Sequence, residues 1–542
     1  MRNLYSYQWL WCFKFMVNYW KELLVFFVLE LSSLVAGLLF VWFCKVAIDS
    51  AILHNSLEDL FDELCFVVLS LLTSFLTHLI AVWINEGTKA KMLKDLQNSI
   101  AEIQMKSQWD VSAEWHTGDV MVRTISDCQE TVNVLGSLWI TLLLALIRIV
   151  AGLIFLWTLD SILAIFIVGV IPMVLLSKMF IKKLRKVNSE IKDEEGRLGE
   201  VLQENLGNRY FLRSIGWDRE RWWRVINKQE HIFRKKILLL TYVNLSKAIF
   251  GMVMQLSFLI AFGWGTYRLH IGEISFGTMS AFLQLLARIQ NPSGQFLVQF
   301  PVLLRFKASL QRVVEAVSVP IETQYQQSRF PVIDSLILKN VSFGYQEISL
   351  LKDISLHVNK GEPLVLIGSS GKGKTTLLRM MMGLFPCTDG NISLTADSRL
   401  IPITGDLRCN FSFVPQGQKL VSGTILYNIL GDGFPPTNEC LDNAIRLACA
   451  EFIYELPNGI NTIVGEAGYG LSEGQAQRIG IARAILQNRS ICLFDEVTSA
   501  LDKKISEKLI SNLISISRNK ILIVVTHDIS IQNQFKNIYI LP

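Results

Sequence analysis

Up to roughly residue 320 the chain alternates long apolar runs with polar stretches, and beyond it the rhythm shortens. The apolar runs lie at 23–44, 64–84, 136–157, 161–177, 248–267 and 274–300. Most approach the ~20 residues that a membrane-spanning helix needs, and the run at 64–84 carries no charged residue at all. Buried helices of a large soluble protein rarely do without charge over such a length, so the pattern predicts six crossings. The connections at 85–135 and 178–240 are too long for loops and contain no proline, which predicts helical arms turning near Gly118 and Gly207. An arm of ~24 residues reaches ~36 Å at 1.5 Å per residue. After 312–318 comes a glutamine-rich stretch bounded by proline (322–331). Short apolar strand-like runs then alternate with helical patterns, as in a parallel α/β unit.

The distribution of charge orients the runs. Residues 46–63 hold Asp49, Glu58, Asp59, Asp62 and Glu63 with no Lys or Arg, and the turn at 158–161 has none either. The stretch after the fourth run is dense in Lys and Arg, from Lys178 to Lys236. Positive residues stay on the cytoplasmic side, so both termini are expected there. At 51% hydrophobic and 18% charged residues, the composition fits a large lipid-facing surface rather than an ordinary soluble protein. The net charge of +5 is not spread evenly, its positive excess lying between 178 and 240, and it does not call for a nucleic-acid partner. Nine cysteines without any CxxC pair read as free thiols in a reducing compartment. Within the runs, Glu30 and Arg148, then His78 and Gln255, are polar residues at membrane depth. Such groups are costly there and serve either a mutual structural ion pair or substrate contact.

The chemistry is concentrated after residue 360. Leu364 to Ile367 form an apolar strand, followed by Gly368, Ser369, Ser370, Gly371, Lys372, Gly373, Lys374, Thr375 and Thr376. This is a complete GxxxxGK[ST] loop opening a helix. Its glycines let backbone N–H groups face phosphates, Lys374 reaches the β and γ phosphates, and the Thr375 hydroxyl suits a Mg²⁺ site. A second apolar strand, 491–494, ends in Asp495 and Glu496, a metal-binding carboxylate beside a base that orients water. Leu471, Ser472, Glu473, Gly474 and Gln475 precede it, and Thr526, His527 and Asp528 follow a third strand at 521–525.

The order of these motifs, with Val414, Pro415 and Gln416 before the signature and Ser499 to Asp502 after the second strand, resembles the ATPase domain of ABC transporters. The resemblance extends through the first half. Gly118, Asp119, Arg123 and Asp127, then Glu204, Gly207 and Arg209, look like the cytoplasmic arms of exporter-type ABC membrane domains, and 308–312 is similar to the exit of the sixth helix. The expected fold is therefore a membrane all-α six-helix bundle with long cytoplasmic arms, followed by an α/β P-loop NTPase domain. The expected divisions are 1–320 for the transmembrane domain, 321–332 for a linker and 333–542 for the ATP-binding domain.

The resemblance implies a role for each matching residue. Tyr345 would stack on the adenine of ATP, and Gly368 to Thr376 would hold its phosphates. Thr375, Gln416 and Asp495 would serve Mg²⁺; Glu496 would be the general base, His527 the γ-phosphate clamp, and Lys374 and Gln416 further catalytic groups. Ser472, Gly474 and Gln475 would act on ATP bound by a second half-transporter, a homodimer before a heterodimer. The turns at 107–117 and 205–213 would be coupling helices. Two positions depart from the family pattern: Glu473, where glycine is usual, and Lys372 in a variable position. The implied function is ATP-driven transport across a bacterial inner membrane, with lipid around it. Export of a small peptide, lipid or drug-like substrate is the first reading, and a metal-chelate importer or an ATP-binding regulator the alternatives. With ~20 residues ahead of the first run, no N-terminal peptidase domain is expected.

Overall fold

In a computed structural model the described residues are all except 1, 54–55, 108–116, 175–177, 323–327, 346–347, 370, 418–419, 432–436, 466–469 and 542. The chain separates into two compact units, 1–104 with 116–318 and 105–115 with 319–542.

The first unit is helical. It comprises α1 (Arg2–Val17), α2 (Trp20–Ile52), α3 (Leu57–Lys106), α4 (Gly118–Leu159), α5 (Ser161–Val174), α6 (Lys178–Gly207), α7 (Arg209–Ser214), α8 (Asp218–His270) and α9 (Phe276–Val317). Among the described residues α2, α3, α4 and α8 are long and apolar enough to cross a membrane. The predicted runs at 161–177 and 274–300 are helical over α5, described for 14 residues, and from Phe276 on α9, but do not meet that measure. The polar connection expected at 46–63 is mostly helix, because α2 continues to Ile52 and α3 begins at Leu57. Helices thus outrun their apolar cores, as elements buried in protein and headgroups do. The unit packs on Val41, Leu156, Leu163, Phe282, Leu285 and Ile289, all nearly or fully buried. Small residues allow the close approach of apolar helices: a methyl on Gly152 would lie 2.8 Å from Ile289 Cγ1.

The arm residues singled out in the sequence meet. Arg312 on α9 grips buried Asp127 on α4 with Nε at 2.6 Å and Nη2 at 2.5 Å. Arg123 donates to Asp119, Glu315 and the Arg312 carbonyl. Asp127 ends a π-helical stretch, Arg123–Asp127, an irregularity that commonly marks function. On the second arm, Glu204 takes both prongs of Arg221, at 2.8 and 2.9 Å, while Arg209 stacks on the ring of Tyr210. Most of the predicted turn at 107–117 lies outside the described residues.

The second unit has two main sheets. A four-stranded antiparallel sheet runs β2 (Ile348–Asn359), β1 (Ser335–Tyr345), β4 (Asp389–Ala396), β5 (Arg399–Pro402). The five-stranded sheet is parallel throughout, in the order β11 (Asn537–Ile540), β3 (Leu364–Ile367), β10 (Ile521–Val525), β9 (Ile491–Asp495), β6 (Phe411–Val414). A pair of two-residue strands, β7 (Gly423–Thr424) and β8 (Ile463–Val464), completes the set. The antiparallel sheet corrects the expectation of strands alternating with helices throughout. The parallel strands read as continuous apolar runs because both faces are covered. Leu364, Leu366, Leu493, Ile521 and Ile523 point into one core and Val365, Cys492, Phe494, Leu522 and Val524 into the other, the period of two expected of a strand. The helices around the sheets are α10 (Lys374–Met381), α11 (Ile425–Leu430), α12 (Asn438–Leu447), α13 (Glu473–Leu486), α14 (Lys503–Ile516) and α15 (Ile529–Gln532). Gln416, Glu496 and His527 lie on loops at the carboxyl ends of β6, β9 and β10, and Lys374 opens the helix after the loop that leaves β3, the edge where open parallel sheets bind ligands.

Candidate functional site

The phosphate loop joins β3 to α10. Gly371 and Gly373 adopt φ of 83° and 88°, which favours glycine, and at Gly373 a side chain would also press on Leu350 and Leu351 at 3.0 Å. Lys374 is buried, with 6% exposure, and its ammonium donates to the carbonyls of Gly368 at 2.8 Å and Ser369 at 3.0 Å. A cation folded back over its own loop is set to meet phosphate oxygens there. Lys372 is exposed, Thr376 is buried, and Ser370 lies outside the described residues.

Across the loop, the Thr375 hydroxyl donates to Asp495 Oδ2 at 2.6 Å. Asp495 ends β9 at 1% exposure, and its second oxygen is buried with no hydrogen-bond partner among the described residues. Burial pushes this carboxyl above its usual range and the adjacent Glu496 adds to that, while the Thr375 hydrogen bond and Lys374 pull the other way. An orphaned buried carboxylate oxygen beside a hydroxyl fits a hard cation that prefers oxygen ligands and keeps several waters. These residues therefore suit Mg²⁺.

Glu496 is a non-glycine residue at φ 51°, a costly conformation that the surroundings must enforce. They do so on every side. Its N–H donates to the Val525 carbonyl at 3.0 Å, and its own carbonyl accepts Gln477 Nε2 and Ser499 Oγ, each at 3.0 Å. The turn aims the carboxylate between two partners, Gln416 Nε2 at 2.6 Å on Oε2 and His527 Nε2 at 2.9 Å on Oε1. Thus Thr375 with Asp495, and Gln416 with Glu496 and His527, are brought together. Tyr345 closes β1. Gln477 escaped the sequence reading of the site, a glutamine on the apolar face of α13 being the available signal, and Ser499, named there only as part of a motif, also bonds the Glu496 carbonyl.

The signature residues form a separate construction at the start of α13. Ser472 caps the helix, accepting from the Gln475 N–H at 3.2 Å while Gln475 Oε1 accepts from the Ser472 N–H at 3.0 Å, a reciprocal capping box. Gly474 is sterically required, since a Cβ there would lie 2.5 Å from the Ala500 carbonyl oxygen and 2.9 Å from Leu501. Glu473 is exposed in the first turn. Among the described residues Ser472, Gly474 and Gln475 make no hydrogen bond or ion pair with the phosphate loop, Asp495, Glu496 or His527.

In the first unit Glu30 joins Arg148 and His78, as the sequence suggested, whereas Gln255 is exposed and bonds to none of them. The sequence reading missed Arg288, which lines the same cavity; a lone arginine in the sixth apolar run was its signal.

Residues 23–293 match the family described as the ABC transporter transmembrane region, and 351–499 match the one described as ABC transporter. A Bacillus subtilis protein named for multidrug export ATP-binding/permease function is 28% identical over 82% of this chain and 78% of its own. A Staphylococcus aureus protein of the same description is 28% identical over 86% of this chain and 81% of its own. The solved structure of a bacterial Atm1-family ABC exporter with ATP bound superposes with a TM-score of 0.80 at 20% identity, covering 96% of this chain and 93% of that one.

Proposed function

The chain belongs to the ABC transporter family, an ATPase fused to a transmembrane region, and from that premise we propose that it is an exporter-type half-transporter working as a dimer in a bacterial inner membrane. The observation that carries the reading is the clasp of Gln416, Glu496 and His527 beside the Thr375–Asp495 pair. That arrangement suits hydrolysis: Glu496 takes a proton from the attacking water, Lys374 and His527 hold the γ-phosphoryl oxygens, and the loop amides hold the rest. Thr375 and Asp495, with Gln416, would hold Mg²⁺, which would offset charge on the β and γ phosphates. Tyr345 would stack on the adenine.

Ser472, Gly474 and Gln475, capped and turned away from their own chain's catalytic groups, supply the second half of a partner's site. The start of a 14-residue helix is a natural anion-binding end. Two copies then enclose two ATP, with 1–320, 321–332 and 333–542 as membrane domain, linker and motor, six crossings per copy and both termini cytoplasmic. A homodimer is the simplest assembly because one chain holds both half-sites. The names of the relatives support export over import of a metal chelate.

The purified chain in proteoliposomes tests this. MgATP added outside should drive a substrate into vesicles whose motors face outward, and EDTA should stop both hydrolysis and uptake. Movement out of such vesicles would make the chain an importer; binding without hydrolysis would make it a regulator.

A further inference from the structure

The polar cluster of the first unit is electrically unbalanced. Glu30 on α2, with 5% of its side chain exposed, accepts Arg148 Nη2 at 2.5 Å on Oε2 and faces His78 Nδ1 at 2.6 Å on Oε1. Both of its oxygens are taken. Arg288 on α9 lines the same cavity as Arg148 and His78, and among the described residues no carboxylate pairs with it. Two guanidiniums therefore answer one carboxylate. With His78 neutral the cluster carries one net positive charge within the predicted apolar runs, where a lone charge is retained only for a purpose.

The surroundings keep this charge available. A methyl on Gly37 would collide with the Arg288 guanidinium, so glycine at that position makes room for it. Ser33 and Ser74 satisfy each other's carbonyls, at 2.9 and 3.0 Å, and do not call on the arginine. The cavity measures ≈ 570 Å³, within the range of small-molecule sites, and its remaining walls include Leu34, Leu38, Leu71 and Phe75. The lining thus combines an unanswered fork of N–H donors with hydrocarbon.

We propose that this cavity receives the anionic head of an amphiphile, a carboxylate or phosphate monoester on an apolar body, with Arg288 as its counter-ion. A guanidinium presents paired donors that match either head in a bidentate fashion, and Arg148, half engaged by Glu30, flanks it. The inference rests on the transport reading by naming its substrate class. A fatty-acid-like solute and membrane phosphatidic acid share this chemistry.

The test uses the full chain in phosphatidylcholine nanodiscs without ATP, and equilibrium binding of radiolabelled dodecyl phosphate. Dodecanoate should compete, while dodecanol and dodecyltrimethylammonium should be at least ~10-fold weaker. Arg288→Gln should raise the Kd by about 10-fold or more, as loss of a close charge pair does. Arg288→Lys should fall between the parent and Arg288→Gln, because it keeps the charge but loses the bidentate fork. An unchanged circular dichroism spectrum and size-exclusion profile in both variants report an intact fold. Should Arg288→Gln misfold, the selectivity of the parent chain and Arg288→Lys carry the decision. Repeating the titration in nanodiscs doped with phosphatidic acid identifies the source: weaker apparent binding marks a lipid headgroup as the natural occupant, and unchanged binding a free amphiphile, either supporting the site. Equal affinity for dodecanol and dodecyl phosphate, or an unchanged Kd in Arg288→Gln, overturns the proposal. A chain that moves other cargo with ATP yet ignores head charge sinks this inference alone. One that binds dodecyl phosphate but transports nothing sinks the export reading instead.

Discussion

Both units contain a glutamate with its two oxygens occupied, one of them by a histidine, and they use it in opposite ways. In the motor, Glu496 is held by a neutral amide and His527, 17% of its side chain is exposed, and its backbone is forced to φ 51°. In the membrane unit, Glu30 is held by a guanidinium and His78 at 5% exposure, in the middle of a regular helix. A carboxylate that meets a neutral donor keeps its basicity and can exchange that donor for water or phosphate. One neutralised by arginine away from water gives up its charge to a fixed pair. The histidine is common to both; the second partner and the backbone decide which carboxylate reacts.

The comparison breaks most readily at Glu496. Glu496→Gln keeps shape and hydrogen bonding but removes the base, so steady-state ATPase should fall by roughly 10²- to 10⁴-fold. Nucleotide affinity in a filter-binding assay should stay near that of the parent. Turnover within a few-fold of the parent would remove Glu496 from the reaction and leave the two glutamates alike.

At Glu30 the same change should injure folding rather than chemistry. Glu30→Gln leaves Arg148 without its counter-charge; with part of that side chain still exposed, the loss should be about 3 kcal/mol. Thermal unfolding of the detergent-solubilised chain would read this as a lower midpoint. ATPase per folded molecule should hold. The double change Glu30→Gln with Arg148→Gln should recover part of the midpoint, since it removes the stranded charge with its partner. A midpoint unmoved by either variant would mean that the pair is decorative.

The two sites also differed in how legible they were. The motor's groups could be read because a strand, a glycine-rich turn and a helix start must follow one another locally, and Lys374, Thr375, Asp495 and Glu496 sit at fixed steps from those elements. What local pattern did not reveal was how Glu496 is held, because Gln477, His527 and Gln416 reach it from elements that only the fold brings near. The apolar periods located the membrane helices. Their ends were blurred, because polar helix reads like polar loop when neither borders lipid. Arg288, a lone arginine in the sixth apolar run, carried the same signal as Arg148 and was passed over; that no carboxylate among the described residues answers it shows only once Glu30, Arg148 and Gly37 are placed around it. The antiparallel sheet β2-β1-β4-β5 was missed because β1 and β2, and β4 and β5, follow one another with no helix between them.

A third test addresses packing in the motor. Gly474→Ala places a methyl 2.5 Å from the Ala500 carbonyl. Overpacking of this kind costs ~1 to 3 kcal/mol, and the strain falls on the loop that follows the Glu496 turn. Purified protein should remain folded by circular dichroism but lose about 10-fold in ATPase, a size consistent with that strain. Wild-type activity would show that the helix start can shift without cost.

Glu473 gives the smallest effect and the sharpest sign. Its carboxylate is exposed in the first turn of α13, where a negative charge near a helix N-terminus is worth ~0.3 to 1 kcal/mol; in the free chain it stabilises. In the proposed dimer the same end faces a partner's γ-phosphate. At ~6 Å with an effective dielectric of ~20, the repulsion reaches about 3 kcal/mol per unit charge. That is an upper bound, because an exposed side chain turns toward water, and a residual near 1 kcal/mol corresponds to roughly a five-fold rate effect. Glu473→Gly should therefore lower thermal stability slightly and raise ATPase a few-fold. The gain should shrink as salt rises, since the Debye length falls to ~3 Å at 1 M. Glu473→Gln separates charge from chain flexibility: it should reproduce most of the gain without glycine's loss of helix stability. If both variants hydrolyse ATP at the parent rate at low salt, the carboxylate lies clear of the nucleotide and the signature tolerates it.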